Sequence, residues 1–205
     1  MDSWIIYAET PCFSGVTSEG QLGVKEGSRL SEEEHRLAGV SRFHATLQRI
    51  VASWLKGEGF QVWLEHNVDG VHYADVYASN GVKSVIVEVE TGYVPPMFIT
   101  EAETYMLARA IVKAVKYACL ADEFYIATPS YVRPPIPHVL LKPPEDGELL
   151  GASQLVRRFF GERWADEAVA RLRDCRLAGF MLVEVARKSV TVLKGNDLRS
   201  YIDLE

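Results

Sequence analysis

The sequence predicts an α/β domain, and three observations carry that prediction. Two amphipathic stretches, beginning near residues 31 and 100, repeat apolar side chains at helical spacing. Between them lie three short runs rich in β-branched and aromatic residues. A further such run follows the second helix. The order is helix, three strands, helix, strand, which suits a mixed central sheet, with a C-terminal α+β extension beyond it.

Trp4 to Ala8 reads as a short strand, followed by a Gly/Ser-rich loop to about Leu30. Ser31-Glu32-Glu33-Glu34 has the form of a capping box, in which serine and the third-following glutamate satisfy free backbone N–H groups. Leu37, Val40, Phe43, Leu47, Ile50, Val51, Trp54 and Leu55 then recur at helical spacing, and Gly57 and Gly59 end the helix. Phe60 to Val68 and His72 to Ser79 read as strands. Asn80-Gly81 signals a hairpin, because both residue types tolerate positive φ. Lys83 to Thr91 is the returning strand. Apart from two glutamates it is apolar on both faces, as a doubly covered central strand requires.

Thr100-Glu101-Ala102-Glu103 is a second capping box, opening a helix to about Leu120, and Glu123 to Thr128 is the next strand. The core is thus expected over 31–128, after an N-terminal strand and loop over 1–30. A proline-rich surface connection over 129–147 leads to an extension over 148–205, either packed on the core or mediating a dimer. That extension contains a helical region from about Ala152 to Arg176 and a hairpin of Phe180–Val185 with Ser189–Leu193. Asn196 is placed to cap a last short helix. The apolar hairpin is the feature behind an expected homodimer.

Composition narrows the function classes. Charged residues make up 24% and hydrophobic residues 48% of 205 residues, the balance of an ordinary soluble protein. No apolar run reaches the roughly 20 residues of a membrane span, and the N-terminus lacks a signal-peptide pattern. Cys12, Cys119 and Cys175 form no CxxC pair and leave one thiol over in any pairing. Reduced cysteines in a cytoplasmic protein are therefore expected. The net charge of −6 argues against broad non-specific binding of nucleic acid, while leaving room for a local basic groove. No Gly-rich phosphate loop follows a strand, and there is no G-x-S-x-G elbow.

The chemistry concentrates in Tyr73-Ala-Asp-Val-Tyr-Ala-Ser-Asn-Gly-Val-Lys-Ser-Val-Ile-Val-Glu-Val-Glu-Thr-Gly92. With Asn80-Gly81 as a two-residue turn, Asp75 faces Ile86 and Tyr73 faces Glu88. The period of two then puts Asp75, Glu88 and Glu90 on one face, with Asp75 and Glu88 diagonal neighbours roughly 7 Å apart. Three carboxylates on an apolar hairpin repel one another and resist desolvation. Mg²⁺ or Mn²⁺ relieves both, since hard cations take carboxylate oxygens.

A helix, an aspartate on the second strand, E-x-[K/E] on the third, then a helix and a strand resembles the PD-(D/E)XK nuclease superfamily. That group includes restriction enzymes, RecB-like nucleases and archaeal Holliday-junction resolvases. The resemblance spans about residues 31 to 128 and implies a restriction-endonuclease-like core that hydrolyses DNA phosphodiester bonds with Mg²⁺ or Mn²⁺. It assigns metal binding to Asp75 and Glu88. Glu90 stands where most members carry lysine, as it does in a minority of the restriction enzymes. Lys113 of the following helix is the candidate replacement lysine. His44, four residues from Gln48 on one helix face, would be a further ligand, as would Glu65. Arg109, Lys113 and Lys116 fall at i, i+4 and i+7 and would grip the phosphate backbone, with Tyr93 at the lip of the site. The competing expectation is an inactive relative that binds nucleic acid or protein through the same fold. His66 and His72 fit no zinc spacing and are read as surface residues, and His35 and His138 lack identifiable partners.

Overall fold

The computed structural model describes residues 41–133, 136–195 and 198. These residues belong to one compact unit. The expected strand at Trp4, the Ser31 capping box, and the cap at Asn196 lie outside the described residues.

Helix α1 (Arg42–Gly57) starts at Ser41, whose backbone is extended and whose hydroxyl accepts the His44 N–H at 3.2 Å. Among the described residues the helix expected from residue 31 begins at this cap, and Phe43 is exposed rather than core. Ala45, Leu47, Gln48, Ile50, Val51, Ala52 and Leu55 form its buried stripe. Gly59, at φ 87°, turns the chain away in a conformation that costs glycine nothing.

Strands β1 (Gln61–Asn67), β2 (Tyr73–Ser79), β3 (Ser84–Val89) and β4 (Glu123–Pro129) follow the predicted order, with α2 (Ala102–Tyr117) between β3 and β4. The β2–β3 turn is longer than expected. Asn80 Oδ1 accepts the N–H groups of Val82 and Lys83 at 3.1 and 2.9 Å, which pulls Asn80 out of the strand and leaves residues 80–83 as the loop. Tyr77, not Asp75, consequently pairs with Ile86, and the ladder runs no further than the Val76–Val87 pair. The pairing of Asp75 with Ile86 is thus corrected by two residues. Alternation does not carry on past Val76: Val76 and Ala78 pack on the α1 side and Ala74 on the other, and the Asp75 side chain takes partners from both, His44 and Lys113.

Helix α2 is entered from a 3₁₀ turn, Pro96–Glu101, and no side chain caps it, so the expected Thr100 capping box is absent. The helical region expected from about Ala152 to Arg176 consists of two helices, α3 (Asp146–Phe160) and α4 (Glu162–Arg171). Gly161 divides them at φ 86° and ψ 176°, a region open essentially to glycine alone. A capping box between Glu145 and Glu148 starts α3. The proline-rich connection is not purely superficial either, since a 3₁₀ turn at His138–Leu140 drives Leu140 fully into the core.

The C-terminal hairpin, β5 (Gly179–Glu184) and β6 (Ser189–Leu193), joins the main sheet instead of extending away from it. The result is an α/β fold with a mixed open sheet of six strands in sequential order and, among the described residues, four α-helices. Strands β3, β4 and β5 run parallel, and antiparallel hairpins flank them. Side chains alternate across this sheet. Val85, Val87, Tyr125, Ala127, Met181 and Val183 meet α1, while Ile86, Phe124, Ile126 and Phe180 meet α2, α3 and α4. Fully burying each such side chain contributes about 1.5–3 kcal/mol. Phe180, Met181 and Val183 are spent on this core, which removes the apolar hairpin as a reason to expect a dimer. No helix among the described residues is long and apolar enough to cross a membrane.

Candidate functional site

The acidic strand face meets both helix layers at one end of the sheet. On α1, His44 and Gln48 are one turn apart and therefore project together. His44 Nε2 lies 3.1 Å from Asp75 Oδ1, and Gln48 Nε2 donates to Glu65 Oε1 at 2.5 Å. Gln48 is fully buried, and its Oε1 has no hydrogen-bond partner among the described residues. The spacing from His44 already marked Gln48, but only the structure reveals it as the link between helix and strand.

Glu65 takes a left-handed φ of 46°, costly for a residue with a Cβ. The β1–β2 ladder bridges Leu64 to Val76 and then His66 to Ala74, passing over Glu65 and Asp75. The Asp75 N–H instead donates to Glu88 Oε1 at 3.0 Å, while Asp75 Oδ2 accepts the Val89 N–H at 2.7 Å. The aspartate is thereby fixed to β3 from both its backbone and its side chain.

Lys113 reaches the same carboxylates from α2. Its Nζ lies 2.8 Å from Glu90 Oε1, 3.1 Å from Glu88 Oε2 and 3.8 Å from Asp75 Oδ2, and it donates to the Val89 carbonyl at 3.3 Å. Arg109, one turn earlier, holds Glu90 Oε2 at 3.0 Å and donates to the Tyr93 carbonyl at 3.0 Å. The expected basic stripe therefore does not face solvent as a unit. Lys113 and Arg109 are turned onto the acids, and Lys116 Nζ sits 4.5 Å from the ring centre of Trp164. The Tyr93 side chain is exposed.

The electrostatics follow from this packing. Burial pushes the Glu88 carboxyl up to about 7, aided by the Asp75 charge and opposed by Lys113. Burial would raise Asp75 too, but the His44 hydrogen bond, the Lys113 charge and the Val89 N–H outweigh it and hold its pKa below the ordinary value. Burial also raises Glu65, against its bond from Gln48. Burial lowers the proton affinity of His44 and Lys113, yet their acidic neighbours win and shift both upward. Lys113 is consequently a fixed cation and a poor base.

The expected ligands divide into two groups. One nitrogen of His44 and one oxygen each of Glu65 and Asp75 lie within 4.8 Å of one another. Glu88 and Glu90 stand outside that group and bracket Lys113. An imidazole with two carboxylates suits a hard divalent cation that retains water, and Mn²⁺ accepts the nitrogen more readily than Mg²⁺. His72 pairs with Asp69 at 2.6 Å and His66 stacks on Tyr77, and neither belongs to this group. No protein-family model matches the sequence, and no curated protein or solved structure matches it.

Proposed function

We propose that this chain is a Mg²⁺- or Mn²⁺-dependent deoxyribonuclease with a restriction-endonuclease-like core. The observation that carries the reading is the convergence of His44, Glu65 and Asp75 within 4.8 Å, beside a lysine already directed at the same aspartate. The order α1, β1 to β3, α2, β4 supports the same reading. His44, Glu65 and Asp75 would hold the cation, which supplies Lewis-acid charge to a phosphate and acidifies water.

The chain's own groups would do the rest. Lys113, kept protonated by Glu88, Glu90 and Asp75, offers a positive charge to the phosphoryl oxygens as negative charge builds there. Lys113 thus stands in for the lysine that Glu90 replaces. Glu88 holds the Asp75 backbone and the Lys113 ammonium in place, so it positions others. Gln48 orients Glu65. Tyr93, whose side chain is exposed, would lie against a sugar or base.

A second reading has its own support. Glu88 and Glu90 already satisfy Lys113 and Arg109 without any added cation, which suits an inactive domain that binds DNA or a protein partner. Calorimetric titration with Mn²⁺ separates the two, alongside cleavage of plasmid, single-stranded and four-way-junction DNA. The nuclease reading requires Mn²⁺ binding that weakens about 10-fold or more in Glu65→Gln and Asp75→Ala, and cleavage that disappears in Asp75→Ala. Absence of both Mn²⁺ binding and cleavage in the wild type selects the binding module.

A further inference from the structure

Two of the three cysteines, distant in sequence, meet in the fold. Cys119 follows the last turn of α2, and Cys175 lies between α4 and β5. Their Sγ atoms are 3.0 Å apart. The backbone on both sides is tied down. The Cys175 N–H donates to the Arg171 carbonyl at 3.0 Å, Ala178 N–H to Phe124 at 2.8 Å, and Ala118 N–H to Ala114 at 2.8 Å. The contact therefore joins two anchored segments, not two loop tips that happen to touch. Closing it into a covalent bond takes roughly 1 Å of sulfur movement, within the reach of side-chain rotation.

We propose that Cys119 and Cys175 form a disulfide that staples the end of α2 to the segment entering β5. The oxidant is a small-molecule disulfide. The thiolate of Cys119, the exposed member, attacks it and expels one small thiolate, leaving a mixed disulfide. Cys175 then gives up its proton and attacks the Cys119 sulfur, expelling the second small thiolate. Two protein thiols are oxidised, and one small disulfide is reduced to two thiols. Burial and the neighbouring sulfur push the Cys175 thiol up to about 12, so it waits as the resolving partner. The staple fixes the helix that carries Arg109 and Lys113, yet it does not depend on what those residues do.

The test uses the full chain and a Cys12→Ser variant, each treated with oxidised glutathione and quenched with N-ethylmaleimide. The variant is expected to lose two hydrogens in mass and take up no maleimide. Unreduced tryptic digests of both proteins should contain the tripeptide Asp174–Arg176 bonded to the peptide beginning at Tyr117. Dithiothreitol should reverse the bond and lower Tm by roughly 5–15 °C. Maleimide on both Cys119 and Cys175 after oxidation, a persistent glutathione adduct on Cys119, or cross-linking only through Cys12 would each overturn the proposal. None of these readouts involves activity, so an inactive protein leaves them unchanged.

Discussion

Replacing Lys113 with methionine should destabilise the fold by an amount that depends on pH. The ammonium lies 2.8 Å from Glu90, 3.1 Å from Glu88 and 3.8 Å from Asp75, and its side chain is only 15% exposed. At an effective dielectric constant of about 20, each of the two shorter contacts is worth roughly 5–6 kcal/mol of gross attraction. Desolvation of the ions offsets most of that sum, and removing one partner of such a buried set costs a net of about 3–5 kcal/mol. The acids can escape part of this penalty by taking up protons. Glu88 already has a folded pKa of about 7, above its ordinary 4.5, so its contribution to stability is full below 4.5 and lost as pH rises through 7. Loss of Lys113 removes the charge that opposes this rise at Glu88, lifts its pKa further and enlarges that dependence.

Urea unfolding of wild type and Lys113→Met, in chelator at pH 5 and pH 8, measures the effect. The expected gap is about 3–5 kcal/mol at pH 8 and roughly half of that or less at pH 5. At pH 8 this corresponds to a Tm lower by about 10 °C. A gap under about 1 kcal/mol at pH 8, or one equal at both pH values, would refute the view that Lys113 neutralises these acids.

Two further outcomes rest on different parts of the molecule. Gly161→Ala should cost about 1–3 kcal/mol purely through backbone strain, because no atom lies within 4 Å of the added methyl; thermal melts showing no loss would contradict the assigned φ of 86°. Glu123 is pushed up by burial but pulled down further by Lys83 at 2.7 Å, Tyr125 at 2.6 Å and Lys194, giving a net pKa below 4.5. Its stabilisation is therefore full above 4.5 and lost as pH falls through the depressed value. Glu123→Gln should be less stable than wild type by about 1 kcal/mol at pH 7 and equal to it near pH 3, as read from urea midpoints. An equal gap at both pH values would sink that assignment.

The sequence by itself determined the order of the described strands and the doubly covered character of β3. Both follow from local rules: alternation sets which side chains share a side of a strand, and the apolar run around Glu88 and Glu90 marks a strand covered on both sides. The same alternation does not extend to Asp75, whose neighbours Ala74 and Val76 pack on opposite sides of the sheet. Helix boundaries were less legible, because Ser41 is followed at its third position by His44 and not by the acidic partner that marks a capping box.

Tertiary structure alone decided the remaining relations. Nothing local says that β5 and β6 continue the sheet, that Lys113 turns inward onto Glu88 and Glu90 while Lys116 turns to Trp164, or that Cys119 meets Cys175. Each joins segments brought together only when the sheet closes its order, and the energy that selects them is shared burial across the whole core. A side chain with two possible partners takes the one that the packing supplies. Sequence spacing states which residues can point together, and long-range packing states what they point at.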